Sequence, residues 1–287
     1  MSEMQNIQWF PGHMTKTKRK IQASLKLVDA VAEIIDARIP VSSRNPDLSK
    51  LIQNKPRVIL LNKCDMANQT ATKRWIEYYK SQGITAIAVD CKSGHGLNQF
   101  VPAVNSVLSK RIANLKAKGM INPTLRIMIV GIPNVGKSSF INKIAKHNRA
   151  KVEDRPGVTR GNQWYTIAKN LEMLDTPGVL WPKFDDKLVG EHLAFTGAVK
   201  DQILDTELLA VRLLDFLKEL KHKAFISRFN LDEINLDEIE SYELLSVIGK
   251  KRGMLVSGGE VNTERAAIML LDEFRAAKLG RITLEMP

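Results

Sequence analysis

Cysteine is scarce in this sequence, since its 287 residues include only Cys64 and Cys91. Two isolated cysteines provide neither a disulfide framework nor the spacing of a structural zinc site, so a reducing compartment such as the cytoplasm is expected. Long apolar runs are also missing, which argues against a membrane-spanning helix and a membrane partner. The N-terminal residues lack the apolar core of a signal peptide. These absences disfavour secreted, disulfide-bonded and membrane-embedded classes of protein.

Acidic side chains are outnumbered, with 31 Asp and Glu against 43 Lys and Arg and a formal net charge of +12. An excess of this size favours a polyanionic partner such as nucleic acid, although a generally basic protein without such a partner has the same composition. The length suggests roughly two domains and a substantial buried core.

The stretch Gly131–Ser138 has the pattern of a phosphate-binding loop, with two glycines followed by Lys and Ser. It follows an apolar run typical of a buried strand and precedes an amphipathic stretch typical of a helix. The glycines allow backbone N–H groups to point at a polyphosphate, and the helix N-terminus adds partial positive charge. Lys137 is expected to reach the β and γ phosphates of a nucleotide. The predicted nucleotide-binding residues of this stretch are Gly131, Asn134, Val135, Gly136, Lys137, Ser138 and Ser139.

Two earlier loops indicate that the base is guanine. Residues 62–65 (Asn-Lys-Cys-Asp) follow a strand pattern, and a carboxylate there can accept hydrogen bonds from guanine N1–H and the 2-amino group, which adenine does not offer. Residues 90–92 (Asp-Cys-Lys) are similar to the GTPase loop whose backbone N–H meets the guanine carbonyl oxygen. The predicted base-recognition residues are Asn62, Lys63, Cys64, Asp65, Asp90, Cys91 and Lys92.

Two further loops supply candidate ligands for Mg²⁺. Asp175 ends a strand pattern and is expected to hold Mg²⁺ through water, while Gly178 would let the backbone approach the γ-phosphate. Thr159 lies in a Pro-Gly loop and is the candidate for a second Mg²⁺ hydroxyl, a plain turn threonine being the alternative. The predicted Mg²⁺ ligands are Ser138, Thr159 and Asp175.

The order of the loops differs from that of ordinary GTPases, because the base-recognition loops precede the phosphate loop. This order predicts a circularly permuted P-loop GTPase domain of the α/β class over residues 1–182, with a mostly parallel, doubly wound sheet. The connector 113–124 would join the former termini. Beyond the GTPase domain, apolar residues at helical spacing predict a smaller all-α domain over residues 183–287.

With these loops, residues 9–14 (Trp-Phe-Pro-Gly-His-Met), 36–40 (Asp-Ala-Arg-Ile-Pro) and 175–182 (Asp-Thr-Pro-Gly-Val-Leu-Trp-Pro) closely resemble the circularly permuted GTPases of ribosome assembly. The resemblance covers essentially the whole chain. It implies a cytoplasmic, monomeric enzyme that hydrolyses GTP to GDP and phosphate, slowly alone and faster with the ribosomal subunit. It also implies binding to the maturing large (50S) subunit, its rRNA and its ribosomal proteins, with the helical domain contacting RNA.

The resemblance also implies a catalytic residue. Many GTPases place a glutamine just after Asp-x-x-Gly to orient the attacking water, whereas this chain has Val179 and Leu180, which cannot do so through their side chains. In the family that role is assigned to the histidine matching His13. For a lone histidine beside aromatic residues, the alternatives are RNA contact and local packing.

The resemblance also implies that Asn134 is a ligand of a monovalent cation. GTPases with asparagine at this loop position resemble those that use K⁺ near the β and γ phosphates, where the cation serves as an arginine finger does elsewhere.

Two other functions compete with this interpretation. A nucleotide-gated RNA-binding module with incidental hydrolysis predicts very slow turnover even with ribosomal subunits present. A membrane or signalling switch is disfavoured because lipidation motifs are absent.

Overall fold

The computed structural model describes residues 12–52, 55–147, 152–153, 163–176, 186–199 and 205–287, with the backbone alone for 12–18, 146–147 and 152–153. These residues fall into two compact units. The first is the described part of Gln8–Lys183 together with Glu285–Pro287, and the second is the described part of Phe184–Leu284. The division follows Lys183, whereas the sequence placed it after residue 182 and assigned the last three residues to the helical domain.

Strands and helices alternate through the first unit. Its elements are α1 (Gly12–Leu25), β1 (Ala30–Asp36), α2 (Pro46–Ile52), β2 (Arg57–Asn62), α3 (Gln69–Ser81), β3 (Thr85–Ala88), a short 3₁₀ turn (Leu97–Gln99), α4 (Phe100–Val107), α5 (Ser109–Ala117), β4 (Leu125–Val130), α6 (Lys137–His147), β5 (Val152–Glu153), β6 (Trp164–Ala168) and β7 (Leu171–Leu174).

The seven described strands form one sheet in the order β3-β2-β1-β4-β7-β6-β5. The pairs from β3 through β7 are parallel, while β5 and β6 are antiparallel additions at one edge. Every residue of β1 is buried, which explains why its sequence is continuously apolar rather than alternating. The predicted α/β class with a mostly parallel sheet is confirmed, and the strands that deliver the base loops precede the strand of the phosphate loop.

Helices such as α3, α4 and α6 cover the sheet because they bury apolar side chains against it. Trp75 and Tyr79 of α3 pack with Ile35 and Ile59, and the rings of Phe100 and Phe140 meet edge to face at 4.9 Å. The sequence pattern of residues 97–112 predicts a single helix, and this prediction is wrong. The chain forms a 3₁₀ turn and two helices that separate at Leu108, whose φ of −98° and ψ of 7° leave the helical region. The connector expected at 113–124 therefore begins inside α5.

Glu285 packs on the first unit through both its side chain and its backbone. Its carboxylate accepts hydrogen bonds from the N–H of Val41 at 2.5 Å, the N–H of Ser42 at 3.1 Å and the Ser42 hydroxyl. The indole N–H of Trp75 donates to its carbonyl oxygen at 2.9 Å. The loop after β1 is thus held by a residue from the far end of the sequence, which sequence reasoning did not foresee.

The described part of the second unit is helical, as predicted. Its helices are α7 (Lys187–Phe195), α8 (Thr206–Leu220), α9 (Lys223–Phe229), α10 (Ser241–Lys251) and α11 (Thr263–Arg275). Asp205 caps α8 by accepting from the N–H of Leu208, and Asn262 caps α11 in the same way. Leucine and phenylalanine side chains such as Leu213, Phe225 and Leu270 form its core. In the described part of the chain, no helix is both long and apolar enough to cross a membrane.

Candidate nucleotide-binding site

The described residues of the predicted base-recognition loops and phosphate loop, together with Asp175, lie at the carboxyl edge of the parallel strands. The loops after β2, β3, β4 and β7 carry residues 62–65, 90–92, 131–138 and 175, respectively. Because the carboxyl ends of neighbouring parallel strands meet at one edge, loops far apart in sequence converge there. The described residues therefore bring the base-recognition loops and the phosphate loop together.

The phosphate loop needs its glycines for two reasons. Gly131 and Gly136 have φ of 153° and 102°, and Gly136 lies in the region that favours glycine. A Cβ on Gly136 would lie 2.3 Å from Nδ2 of Asn62, and one on Gly131 would lie 2.5 Å from the carbonyl oxygen of Ile34. Close approach of the loop to neighbouring backbone and side chains thus excludes any side chain at both positions.

Lys137 opens α6 and is buried, with 8% of its surface exposed. Its ammonium donates to the carbonyl oxygen of Ile132 at 2.6 Å, inside the curl of the loop. Burial lowers its pKa to about 8, against the opposing attraction of Asp175. Burial also raises the pKa of Asp175, although Lys137 opposes that shift. A desolvated cation enclosed by the phosphate loop is an environment in which a polyphosphate anion is stabilised.

Asn62 links three loops through one side chain. Its Nδ2 donates to the carbonyl oxygen of Val135 at 2.6 Å, and its Oδ1 accepts from the N–H of Cys91 at 3.0 Å. Asn62 is 3% exposed, so both bonds lie away from water. An amide offers one donor and one acceptor group, which is why asparagine can satisfy both loops at once.

Asp90 occupies the position at which the second base loop of GTPases commonly has serine, in the pattern Ser-Ala-Lys, and its contacts explain this departure. Its carboxylate accepts from the N–H of Lys92 at 2.8 Å and from that of Ser93 at 3.2 Å, closing an aspartate turn. Burial alone would raise the pKa of Asp90, but these hydrogen bonds hold it below its usual range. Cys91 is buried, and burial raises the pKa of its thiol to about 12. The thiol is therefore neutral at physiological pH and behaves as a small apolar group.

Asp36 is a site residue that sequence reasoning missed. Its buried carboxylate pairs with Lys63 at 3.0 Å and with Arg38 at 2.7 Å. Burial alone would raise its pKa, but the two cations hold the pKa of Asp36 well below its usual range. Lys63 has a φ of 60°, a region lysine seldom occupies, and the ion pair fixes it there. The available signal was a carboxylate ending a buried strand at the edge where ligands bind.

The remaining predicted residues are distributed as follows. Asp65, Ser138 and Ser139 are exposed, and Asn134 is exposed with a φ of 61°. His13 lies in α1, but its side chain is outside the described part, and Thr159 and Gly178 lie wholly outside it.

No three described His, Cys, Asp or Glu side chains form a metal cluster. A phosphate-loop Mg²⁺ site does not need one, since it combines a serine hydroxyl with an aspartate and substrate oxygens. Ser138 at the exposed start of α6 and the half-buried Asp175 fit that donor set.

Comparisons with known proteins agree with this arrangement. A family profile described as "50S ribosome-binding GTPase" matches residues 126–242, beginning with the strand of the phosphate loop. Ribosome biogenesis GTPase A of Bacillus licheniformis is 48% identical over 281 residues, covering 98% of each chain. The corresponding protein of Thermotoga maritima is 31% identical, covering 97% of this chain and 94% of its own.

A solved structure extends the likeness to three dimensions. GNP-bound YlqF from T. maritima is 27% identical, with a TM-score of 0.64 covering 95% of this chain and 98% of that one. The profile, the permuted order of the loops and the full-length similarity all indicate a guanine-nucleotide hydrolase. The chain therefore belongs to the ribosome biogenesis GTPase A family and is a circularly permuted GTPase of ribosome assembly.

Proposed function

We propose that this GTPase acts on the maturing large (50S) ribosomal subunit in the cytoplasm, binding rRNA and ribosomal proteins and leaving or resetting when GTP is hydrolysed. The observation that carries the proposal is the 48% identity across the whole chain to a relative named for ribosome biogenesis. The description of the matching family profile and the net charge of +12 support the choice of subunit and an RNA partner.

The base-recognition loops assign GTP and GDP as the ligands. Asp65 is exposed at the end of β2, where its carboxylate is available to guanine N1–H and the 2-amino group. Lys63, held by Asp36, covers the base. The loop of residues 90–92 is the candidate for contact with the guanine carbonyl oxygen, and the aspartate turn of Asp90 holds its backbone in place.

The phosphate end of the site holds the triphosphate and its cations. Lys137 supplies a buried positive charge, and Ser138, Thr159 and Asp175 hold Mg²⁺ directly or through water. When bound there, Mg²⁺ would supply positive charge to the phosphate oxygens. The carbonyl of Asn134 is a hard oxygen ligand suited to K⁺.

The family resemblance assigns orientation of the attacking water to His13, since Val179 and Leu180, which follow the Asp-x-x-Gly segment, cannot hydrogen-bond water through their side chains. His13→Ala is then expected to lower turnover while GTP affinity stays largely intact. Normal subunit-stimulated turnover in this variant would remove His13 from the mechanism.

One experiment tests the proposed function: GTP turnover measured with and without purified large ribosomal subunits, and with small subunits as the matched control. We expect large subunits to accelerate turnover and small subunits to have little effect. Equal, very slow turnover in all three conditions would instead favour a nucleotide-gated RNA-binding module whose hydrolysis is incidental.

A further inference from the structure

A large basic cleft lies at the edge of the sheet opposite the nucleotide loops. It has a volume of about 930 Å³ and is formed by the segment before β1, the start of β2, the start of β4 and the α4–α5 pair. Its charged lining residues are Lys26, Lys55, Lys110, Arg111, Lys118, Arg126 and Asp29. Six cations thus line the cleft with a single carboxylate, and one of them, Arg126, also pairs with Glu172 outside the lining at 3.0 Å.

The carboxylate is already engaged and organises the floor of the cleft. Asp29 pairs with Arg111 at 2.5 Å and accepts from the backbone N–H of Arg126 at 2.9 Å. The ammonium of Lys55 donates to the carbonyl oxygen of Val28 at 2.7 Å. These contacts fix the base of the cleft without neutralising its rim.

The rim carries positive charge that the protein leaves uncompensated. Lys26, Lys110 and Lys118 are exposed, and none forms an ion pair with the residues that the structure describes. Lys110 and Lys118 belong to α5 and its C-terminal cap, a helix in which no residue is buried. Eight residues of helix separate them by about 12 Å at 1.5 Å per residue. A row of this length exceeds one phosphate group and matches an extended polyanion.

The remaining lining residues indicate which polyanion. Of the described residues around the cleft, none is aromatic, so bases have no surface on which to stack. Recognition would therefore fall on backbone phosphates, as in sequence-independent binding.

We propose that this cleft binds the phosphodiester backbone of RNA. The inference rests on the proposed RNA partner and adds where that partner is held. Arg126 is the second residue of β4 and Gly131 follows its end, so about 16 Å of strand at 3.3 Å per residue separates the cleft from the phosphate loop. RNA and nucleotide therefore occupy the GTPase unit together, without competing for the same groups.

The test is a pair of charge-reversal variants of the full chain. The cleft variant carries Lys110→Glu with Lys118→Glu. Its matched control carries Lys73→Glu with Lys80→Glu, two exposed lysines of α3 outside the cleft, so that the change in net charge is identical. The probe is a fluorescein-labelled RNA duplex, titrated at several salt concentrations with and without excess GDP.

We expect the cleft variant to lose affinity for the duplex on the order of tenfold, and its slope of log affinity against log salt to fall by about 1.5, since each lost phosphate contact removes roughly 0.7 to 0.9. The control should change much less. GDP should leave the affinity of the unaltered chain unchanged, and GTP turnover without RNA should be the same in all three proteins.

Equal losses in the two variants would overturn the proposal, because affinity would then follow net charge rather than position. Retained affinity in the cleft variant, with normal binding by the unaltered chain, would overturn the cleft while leaving the RNA partner standing. No binding of RNA by the unaltered chain would overturn both. Cleft-dependent binding to vesicles of anionic phospholipid or to polyglutamate, without RNA binding, would assign the cleft to another occupant.

Discussion

The side chain of Asn62 donates a hydrogen bond to the carbonyl oxygen of Val135 at 2.6 Å, across a sequence separation of 73 residues. Through the N–H of Cys91 it also holds the second base loop. One buried amide therefore couples the recognition of the base to the position of the phosphate loop. Circular permutation leaves this coupling intact, because it depends on contacts in the folded sheet and not on the order in which the loops are encoded.

Replacing Asn62 by alanine should separate these loops. It leaves the carbonyl of Val135 and the N–H of Cys91 buried without their present partner, at a cost of about 1 to 3 kcal/mol for each group. We expect lower stability in urea unfolding and weaker GDP binding by fluorescence titration. Asn98→Ala, at an exposed position, is the control and should alter neither. Unchanged stability and affinity in Asn62→Ala would contradict the coupling.

Gly136→Ala should disrupt the contact between Asn62 and the phosphate loop by a change in the loop itself. The added Cβ meets Nδ2 of Asn62 at 2.3 Å, and the φ of 102° is strained for alanine. We expect GDP affinity to fall at least tenfold (about 1.4 kcal/mol), because both the loop and Asn62 must move.

Gly83→Ala separates the effect of contact from that of backbone strain. Gly83 has a φ of 71°, but a Cβ there meets nothing within 4 Å. It should lose about 1 kcal/mol of stability and retain GDP affinity. Similar affinities for the two variants would show that the contact with Asn62 does not matter.

The sequence predicts the parallel strands well because a strand buried on both faces is written as a continuous apolar run. The run at residues 125–130 coincides with β4. Apolar runs at residues 30–35 and 57–61 predict the two strands before it, and β1 and β2 each extend one residue beyond those runs. The phosphate loop and the base-recognition loops can also be identified from the sequence, since each is a contiguous motif. Helices α7 and α9 were not predicted; both are short, with nine and seven residues, so their periodic signal is weak.

Contacts between distant segments are what the sequence does not reveal. Nothing in the pattern around Asp36 shows that its carboxylate meets Lys63, because that pairing depends on the register that sets Asp36 beside Asn62. From the sequence alone, Arg38 is expected to be structural or to face RNA, and its burial against Asp36 supports the structural role. The contact of Glu285 with Ser42 spans 243 residues and has no local signal.

The pair formed by Asp36 predicts a specific acid sensitivity. Its folded-state pKa is depressed from the usual 3.8, so its stabilising contribution is present above that pH and is lost as pH falls below it. Asp36→Asn should lower stability at neutral pH by roughly 3 to 5 kcal/mol, since Arg38 loses its buried partner. It should also flatten the loss of stability below about pH 4.

Tryptophan fluorescence during urea unfolding at several pH values measures both effects, because all four tryptophans precede Lys183. Glu77→Gln, at an exposed carboxylate of α3, is the control. If stability fell as steeply below about pH 4 in Asp36→Asn as in the unaltered chain, the acid sensitivity would arise from another group.

Asn134 should confer a preference for K⁺ over Na⁺ in GTP turnover. Because its φ is 61°, asparagine is also favoured there for backbone reasons alone. Asn134→Gly keeps that backbone accessible and removes the carbonyl, so it should abolish the K⁺ preference while GTP affinity is retained. Equal turnover of the unaltered chain in Na⁺ and K⁺ would dispose of the K⁺ site. A K⁺ preference that persists in Asn134→Gly would assign it to other ligands.

Lys137 should make nucleotide affinity depend on pH in the mildly alkaline range. In the free protein its pKa is lowered to about 8 by burial, whereas a bound polyphosphate favours the charged form and raises the pKa. Binding therefore takes up a proton above pH 8, and affinity should fall about tenfold between pH 7 and pH 9. Guanine itself loses N1–H at higher pH, so the control is Lys137→Arg, whose guanidinium stays charged throughout. Its affinity starts from a different value, but its decline over the same range should be much smaller. GDP titrations of both proteins at matched ionic strength measure the difference, and parallel declines would mean that the proton is taken up by a group other than Lys137.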